Sequence, residues 1–380
     1  MINKNLDFYK ENNLAPTVRA SEGKKELFEK RKKLYRQLGV PQLCFRDAEV
    51  IEFGPSTGEN SLVLLEWGRI NCVDLVEPNR LAHKMIEALY NYEQIDKQRY
   101  HLYPCLMEEY KTKKKYDIII AEQFLQDLDN WKDYLEYMEG LTKEGSIIVT
   151  TCADVIGLFV EKMKRLIAQI IVAEVEDYDE KVKILLEVFE PTLMGLKGMN
   201  RRSIDYVSDV FLSKFYISCK HIMSMVDVID NYKNRFDVLG ASQNMFTDFS
   251  WYKDWEYDYL AVYKEQYARK RHMFLVAGDT DETEKSKEEN TRLAAAIENV
   301  TNMAADYEEN KTLDIECFIN AIAEIELYTQ NKVIKAFDEQ LIDILKIVIK
   351  KDKLILDNYK LWSSTFGKSS QYIALQRKGE

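Results

Sequence analysis

The run Val50-Ile51-Glu52-Phe53-Gly54-Pro55-Ser56-Thr57-Gly58-Glu59-Asn60 constrains the fold of this chain more than any other stretch. A short apolar strand carrying an acid feeds a tight turn with glycines at 54 and 58, and the amphipathic run 61–67 then opens a helix. A strand that feeds such a loop and helix offers backbone N–H groups and a helix N-terminus to a ligand. The two glycines permit a close approach and backbone angles that a side chain would block. About 19 residues after Gly58, a second apolar strand at 71–76 ends in Glu77-Pro78-Asn79. An acid at that distance is placed to hold a ribose hydroxyl pair. Together the loop and the acid imply a nucleoside-bearing ligand.

Glu52, Gly54 and Gly58, with Ser56 where a middle glycine is usual, resemble the first motif of class I S-adenosylmethionine-dependent methyltransferases. The G-x-G-x-x-G fingerprint of NAD-binding units is absent. Later segments follow the same order. YDIIIA at 116–121 reads as a fourth strand followed by Glu122-Gln123-Phe124-Leu125, and a helix over 131–141 leads through LTKEG into SIIVTT at 146–151 as a fifth. The resemblance covers about residues 45–155. It implies a Rossmann-like α/β fold that binds S-adenosylmethionine through Glu52, Gly54, Pro55, Ser56, Gly58, Glu77, Pro78, Leu106, Met107, Glu122 and Gln123. The glycine turn is assigned to the methionine end, Glu77 to the ribose, and Leu106 with Met107 to the adenine. EKRKKLYRQLG, a strand, EFGPSTG and the late FSWYK are further similar to methyltransferases of bacterial surface-polysaccharide and flagellin-glycan loci. That similarity implies cytoplasmic O- or N-methylation of a glycan, flagellin-glycan or glycan-precursor group. Arg31 and Arg36 then come within reach of the donor's carboxylate, with charged helix surface as their default role.

Gly54-Pro55-Ser56-Thr57-Gly58 also satisfies G-x-S-x-G, the nucleophile elbow of serine hydrolases. That alternative makes Ser56 a nucleophile and needs His221 or His272 downstream. It leaves Glu52 and Glu77 without a purpose, and it puts the elbow on the first strand rather than after several. A third reading is a non-catalytic interaction protein that works through its C-terminal helices.

At 380 residues the chain has room for two or three domains. A net charge of −11 argues against broad nucleic-acid binding, which needs basic surface. No run is apolar enough for a membrane span, and the N-terminus lacks a signal core. The six cysteines show no C-x-x-C and no pairing with histidine at metal spacing, so reduced thiols in a cytosolic protein and no metal are expected.

The organisation expected is a helical segment at 1–44, a cofactor domain at 45–155 plus 233–278, a helical cap inserted at 156–232, and a helical region at 279–380. A homodimer through the helices fits the acidic, two-part composition. The third strand is placed at 99–103, and runs 236–240 and 272–278 are read as an antiparallel pair ending the sheet. The weakly alternating 371–376 suits an edge strand. For catalysis, Glu122, Asp127 and Asp154 are the acids able to act as a base, with helix capping as the competing role for Asp127 and Asp154. For the acceptor, Arg201, Arg202, Trp251, Tyr252 and Lys253 combine aromatic faces with cations suited to a sugar or an anionic group. Filling a seam with aromatics is the equally balanced structural role.

Overall fold

The architecture comes from a computed structural model, which describes residues 4–15, 23–194, 202–213, 222–243, 253, 258–278 and 283–379, with the backbone alone at Lys4, Asn5 and Asp127. The chain divides into two compact units: Met1–Cys152 with His221–Leu260 and Ser370–Glu380, and Ala153–Lys220 with Ala261–Ser369.

The first unit is built on a seven-stranded mixed sheet. Its strands are β1 (Glu49–Phe53), β2 (Cys72–Val76), β3 (Tyr100–Tyr103), β4 (Tyr116–Ala121), β5 (Thr142–Ala153), β6 (Phe236–Ala241) and β7 (Ser370–Arg377), in the order β3-β2-β1-β4-β5-β7-β6. β3, β2, β1, β4 and β5 pair in parallel, and β6 with β7 antiparallel. Strands covered on both faces become near-continuous apolar runs. Val50, Ile51 and Phe53 of β1 and Ile118 to Ala121 of β4 are accordingly buried. One face packs Val50, Val73, Leu75, Ile118 and Val149 against Tyr35, Leu62, Ile86 and Tyr90 from the flanking helices. The helix Arg80–Tyr92 begins at Asn79, whose side chain accepts from the N–H groups of Leu81 and Ala82.

The sheet's far end differs from expectation. β6 pairs not with 272–278 but with β7, and β7 lies inside the sheet rather than at its edge. Residues Arg271–Phe274 form a short 3₁₀ turn, and the apolar side chains of Phe274, Leu275 and Val276 are buried in the second unit. An apolar run of that length does not itself distinguish a strand from a buried turn.

The second unit is helical. Val155–Ile171, Tyr178–Met194, Lys287–Asn310, Ile315–Thr329 and Lys332–Ile349 surround one core that includes Phe159, Ile167, Phe189, Ile297, Phe318, Phe337 and Trp362. The helices expected as a separate cap and a separate C-terminal region therefore share a core, because each presents an apolar stripe that the others cover. No helix among the described residues is long and apolar enough to cross a membrane.

Candidate functional site

The carboxyl ends of β2, β1 and β4 bring the expected residues side by side. Phe53 is in register with Val76 on one side and Ala121 on the other. Gly54, Glu77 and Glu122, each the next residue along, therefore form a row at the sheet's edge. Gly54 donates its N–H to the Val76 carbonyl at 2.9 Å and takes φ +67°. A Cβ there would lie 3.1 Å from the Phe124 ring. At Gly58, φ is +85° and a Cβ would lie 3.0 Å from Ile86. Both positions need glycine for conformation and for space.

Glu52 is buried under the turn. Asn60 Nδ2 donates to its Oε1 at 2.7 Å, the Ser61 hydroxyl donates to its Oε2, and Tyr35 holds Asn60 in turn at 3.1 Å. Burial first, then the charge of Glu122, pushes the Glu52 carboxyl up, against the hydrogen bonds from Ser61 and Asn60. Glu52 thus fastens the strand to the helix that follows the turn. Sequence reading found the acid but not Asn60 and Ser61, which sit in the first turn of that helix.

Glu77 faces the turn directly. Ser56 N–H donates to its Oε2 at 3.2 Å and Asn79 N–H to its Oε1 at 2.9 Å. Each oxygen keeps a lone-pair position for a further donor, as two ribose hydroxyls would supply. Burial is the largest influence on this carboxyl and raises it to about 7, against the two backbone hydrogen bonds. A folded-state value above the ordinary 4.5 means the folded protein binds the proton more tightly. Stability from this group is then full below pH ~4.5 and is lost as pH rises through about 7. Urea unfolding of Glu77→Gln is expected to show a flatter dependence across that window than the parent protein.

Beside Glu77 a cavity of about 550 Å³ opens, within the size range of ligand sites. Pro78, Asn79, Leu106 and Glu109 line it from the sheet, and Tyr9 and Asn13 from the N-terminal segment. Leu106 donates its N–H to Glu109 at 2.9 Å. Met107 is buried and does not line the cavity. Glu109, three residues beyond Leu106, was not among the residues the sequence reading assigned to the adenine.

Glu122 is held by Arg31 at 2.7 Å, and both side chains are under a tenth exposed. Arg31 sits on the helix Lys24–Gln37, whose charge pattern had suggested a solvated face. Arg31 Nη1 and Glu122 Oε1 are buried and have no hydrogen-bond partner among the described residues. Arg36, by contrast, is exposed. Gln123, at φ +65°, donates its N–H to Thr151 and is braced by Ser370 and Tyr372 of β7.

The remaining expected residues are placed elsewhere or lie outside the described residues. Asp154, in the second unit, caps the helix Val155–Ile171 through Ile156 N–H, accepts from the Tyr267 hydroxyl, and is forked by Arg271 at 2.9 and 3.1 Å. Its capping role is realised. Asp127 lies in the turn Leu125–Asp127, and its side chain is outside the described residues. Arg202 is exposed and forks Asp205 of its own helix at 2.7 and 2.8 Å. Lys253 is exposed, while Arg201, Trp251, Tyr252 and His221 lie outside the described residues. For the hydrolase alternative, Ser56 is tied through its N–H to Glu77, and His272 belongs to the second unit.

Residues 24–180 match a family model described as a methyltransferase domain, a span of less than half the chain. No curated protein matches the chain. Among solved structures, PKMT2 from Rickettsia typhi in complex with AdoHcy is 15% identical, with 66% of this chain and 51% of that chain covered and a TM-score of 0.39. An S-adenosylmethionine-dependent methyltransferase from Clostridium acetobutylicum is 16% identical, with 41% and 59% covered and a TM-score of 0.29. The chain thus spans about half the length of these two, and 34% of a Streptococcus mutans relative. Superpositions this partial carry no argument. The weight rests on the matched domain and on a strand-end cradle of two glycines and two acids. Residues 24–180 thus resemble a methyltransferase domain, and the cradle of glycines and acids lies within that span.

Proposed function

We propose that the whole chain transfers a methyl group from S-adenosylmethionine to an oxygen or nitrogen of a glycan, flagellin-glycan or glycan-precursor group. One observation carries the donor half of this reading. A buried cation–anion pair, Arg31 with Glu122, leaves one nitrogen and one oxygen without hydrogen-bond partners among the described residues, next to the glycine turn. Buried polar groups are rarely left so. The carboxylate and ammonium of the donor's methionine end would complete Arg31 Nη1 and Glu122 Oε1 respectively. Glu77 would take the ribose hydroxyls, and the cavity beside Pro78 and Leu106 would take the base.

When bound, S-adenosylmethionine supplies a methyl group already activated by its sulfonium charge. The residues of this chain then need mainly to align the donor and exclude water. Gly54 and Gly58 set the backbone for close approach, and Glu52, Asn60 and Ser61 keep the turn rigid. Support for the acceptor is the resemblance carried by EKRKKLYRQLG, EFGPSTG and FSWYK. Incubation with donor labelled in the methyl group and a panel of sugar nucleotides and glycan precursors is expected to move label into one of them. Donor binding without transfer to any sugar would overturn the acceptor and leave the donor assignment standing.

If ribose hydroxyls donate to Glu77, donor binding favours the ionised carboxylate and releases a proton below pH ~7. Affinity for S-adenosylhomocysteine is then expected to rise with pH toward about 7 and level off. Calorimetry in two buffers of different ionisation heat checks the proton release, which should vanish in Glu77→Gln.

A further inference from the structure

The amino ends of β2 and β3 carry a second constellation that the donor site does not use. Cys72 opens β2, Asp74 lies two residues along on the same face, and His101 of β3 is the register partner of Asp74. The thiol, one carboxylate oxygen and one ring nitrogen lie within 4.8 Å of one another. His101 Nδ1 is 2.8 Å from Asp74 Oδ1 and 3.5 Å from Cys72 Sγ. We propose that Cys72, Asp74 and His101 form a three-ligand site for a divalent cation of the zinc type.

The distances support this over a catalytic relay. In a thiol–imidazole–carboxylate relay the two partners use different ring nitrogens. Here both converge on Nδ1. Ordinary zinc bond lengths and tetrahedral angles separate nitrogen from sulfur by about 3.6 Å and nitrogen from oxygen by about 3.3 Å. The first separation is already present, and the second needs an opening of roughly half an ångström. A thiolate, an imidazole and a carboxylate are the donor set that zinc accepts, and a fourth position stays open toward solvent.

The surroundings are arranged to hold the carboxylate in place. Asp74 Oδ2, the oxygen turned away from His101, accepts from the Tyr116 hydroxyl at 2.6 Å and from Lys114 at 3.0 Å. Lys114 also reaches Glu49, the register neighbour of Cys72 on β1, at 2.7 Å. Such outer partners orient a metal-binding carboxylate. Burial opposes ionisation of Asp74, but hydrogen bonds from Tyr116, His101 and Lys114 outweigh it and hold the carboxyl below its ordinary range. The Cys72 thiol is pushed up, by burial first and then by Asp74. Binding would therefore displace its proton to water as the sulfur–metal bond forms. The site lies about 10–16 Å along β2 from Glu77, so its effect would be to clamp the edge strand β3 onto β2. Linear spacing concealed it, because Cys72 and His101 are 29 residues apart and meet only through the sheet register.

The test is titration of the full-length, metal-stripped protein with cobalt(II), followed by zinc. One equivalent of cobalt is expected to give a thiolate charge-transfer band in the near ultraviolet and the strong visible bands of four-coordination, both erased by stoichiometric zinc. His101→Ala should weaken cobalt binding by more than about tenfold. Cys72→Ser should remove the charge-transfer band. The His101 side chain is more than half exposed, so its variant keeps the fold and tests the site should the cysteine variant fail to fold. A wild-type titration without the band overturns the site. So does a band that survives Cys72→Ser through exposed Cys44 or Cys317, or His101→Ala binding cobalt as tightly as the parent.

Discussion

Glu122→Ala is expected to destabilise the protein by about 3–5 kcal/mol, because it leaves the Arg31 guanidinium buried without its counter-charge. Urea unfolding monitored by circular dichroism measures this. The double variant Arg31→Met/Glu122→Met should recover most of the loss, since replacing a buried ion pair with apolar groups of similar volume is often neutral or stabilising. Binding should not recover with it. The single variant lacks Glu122 and the double variant lacks both groups assigned to the donor's methionine end, so S-adenosylhomocysteine affinity should stay low in each. A single variant as stable as the parent would show the pair to be better hydrated than its burial indicates. A double variant that regains affinity would remove Arg31 and Glu122 from the donor site.

Gly58→Ala is expected to combine two penalties. A left-handed backbone at φ +85° costs an L-residue about 1–2 kcal/mol, and a methyl group 3.0 Å from Ile86 forces repacking worth about 1–3 kcal/mol more. Relief requires the turn to shift, and the turn carries the Ser56 N–H that contacts Glu77. Affinity for S-adenosylhomocysteine should therefore fall by about tenfold or more, the equivalent of ~1.4 kcal/mol. Gly140→Ala is the control. Gly140 lies at the end of a helix, where an added methyl group would meet nothing within 4 Å, and its variant should match the parent in both measurements.

The parallel half of the fold was legible because its strands are buried on both faces. VIEF, CVDLV and YDIIIA leave little choice of conformation, and the order of loops and acids between them follows. The sheet's far end was not. Gln371 to Gln376 alternates as an exposed edge would, yet β7 lies between β5 and β6 with Ile373, Ala374 and Leu375 buried. The more apolar 272–276 drew the strand assignment because its partners in the second unit, among them the helix Val155–Ile171, are far away in sequence.

The site divides along the same line. Glu52, Gly54, Gly58 and Glu77 could be read because they lie within or beside β1 and β2, where sequence order and spatial order coincide. Arg31 could not. EKRKK describes a charged helix, and only the packing of that helix against the sheet turns one of its cations toward Glu122. Asp154 shows the converse, since an acid before an apolar helical run satisfies both a catalytic and a capping expectation, and the structure gives it Ile156, Tyr267 and Arg271 as partners.

Isothermal titration of the full chain with S-adenosylhomocysteine addresses the central claim most directly. The expected result is one site per chain that weakens at least tenfold in Glu77→Ala, about 1.4 kcal/mol or more. Absence of binding heat in the parent protein, or equal affinity in parent and variant, would contradict the placement of an adenosyl group between the glycine turn and Glu77.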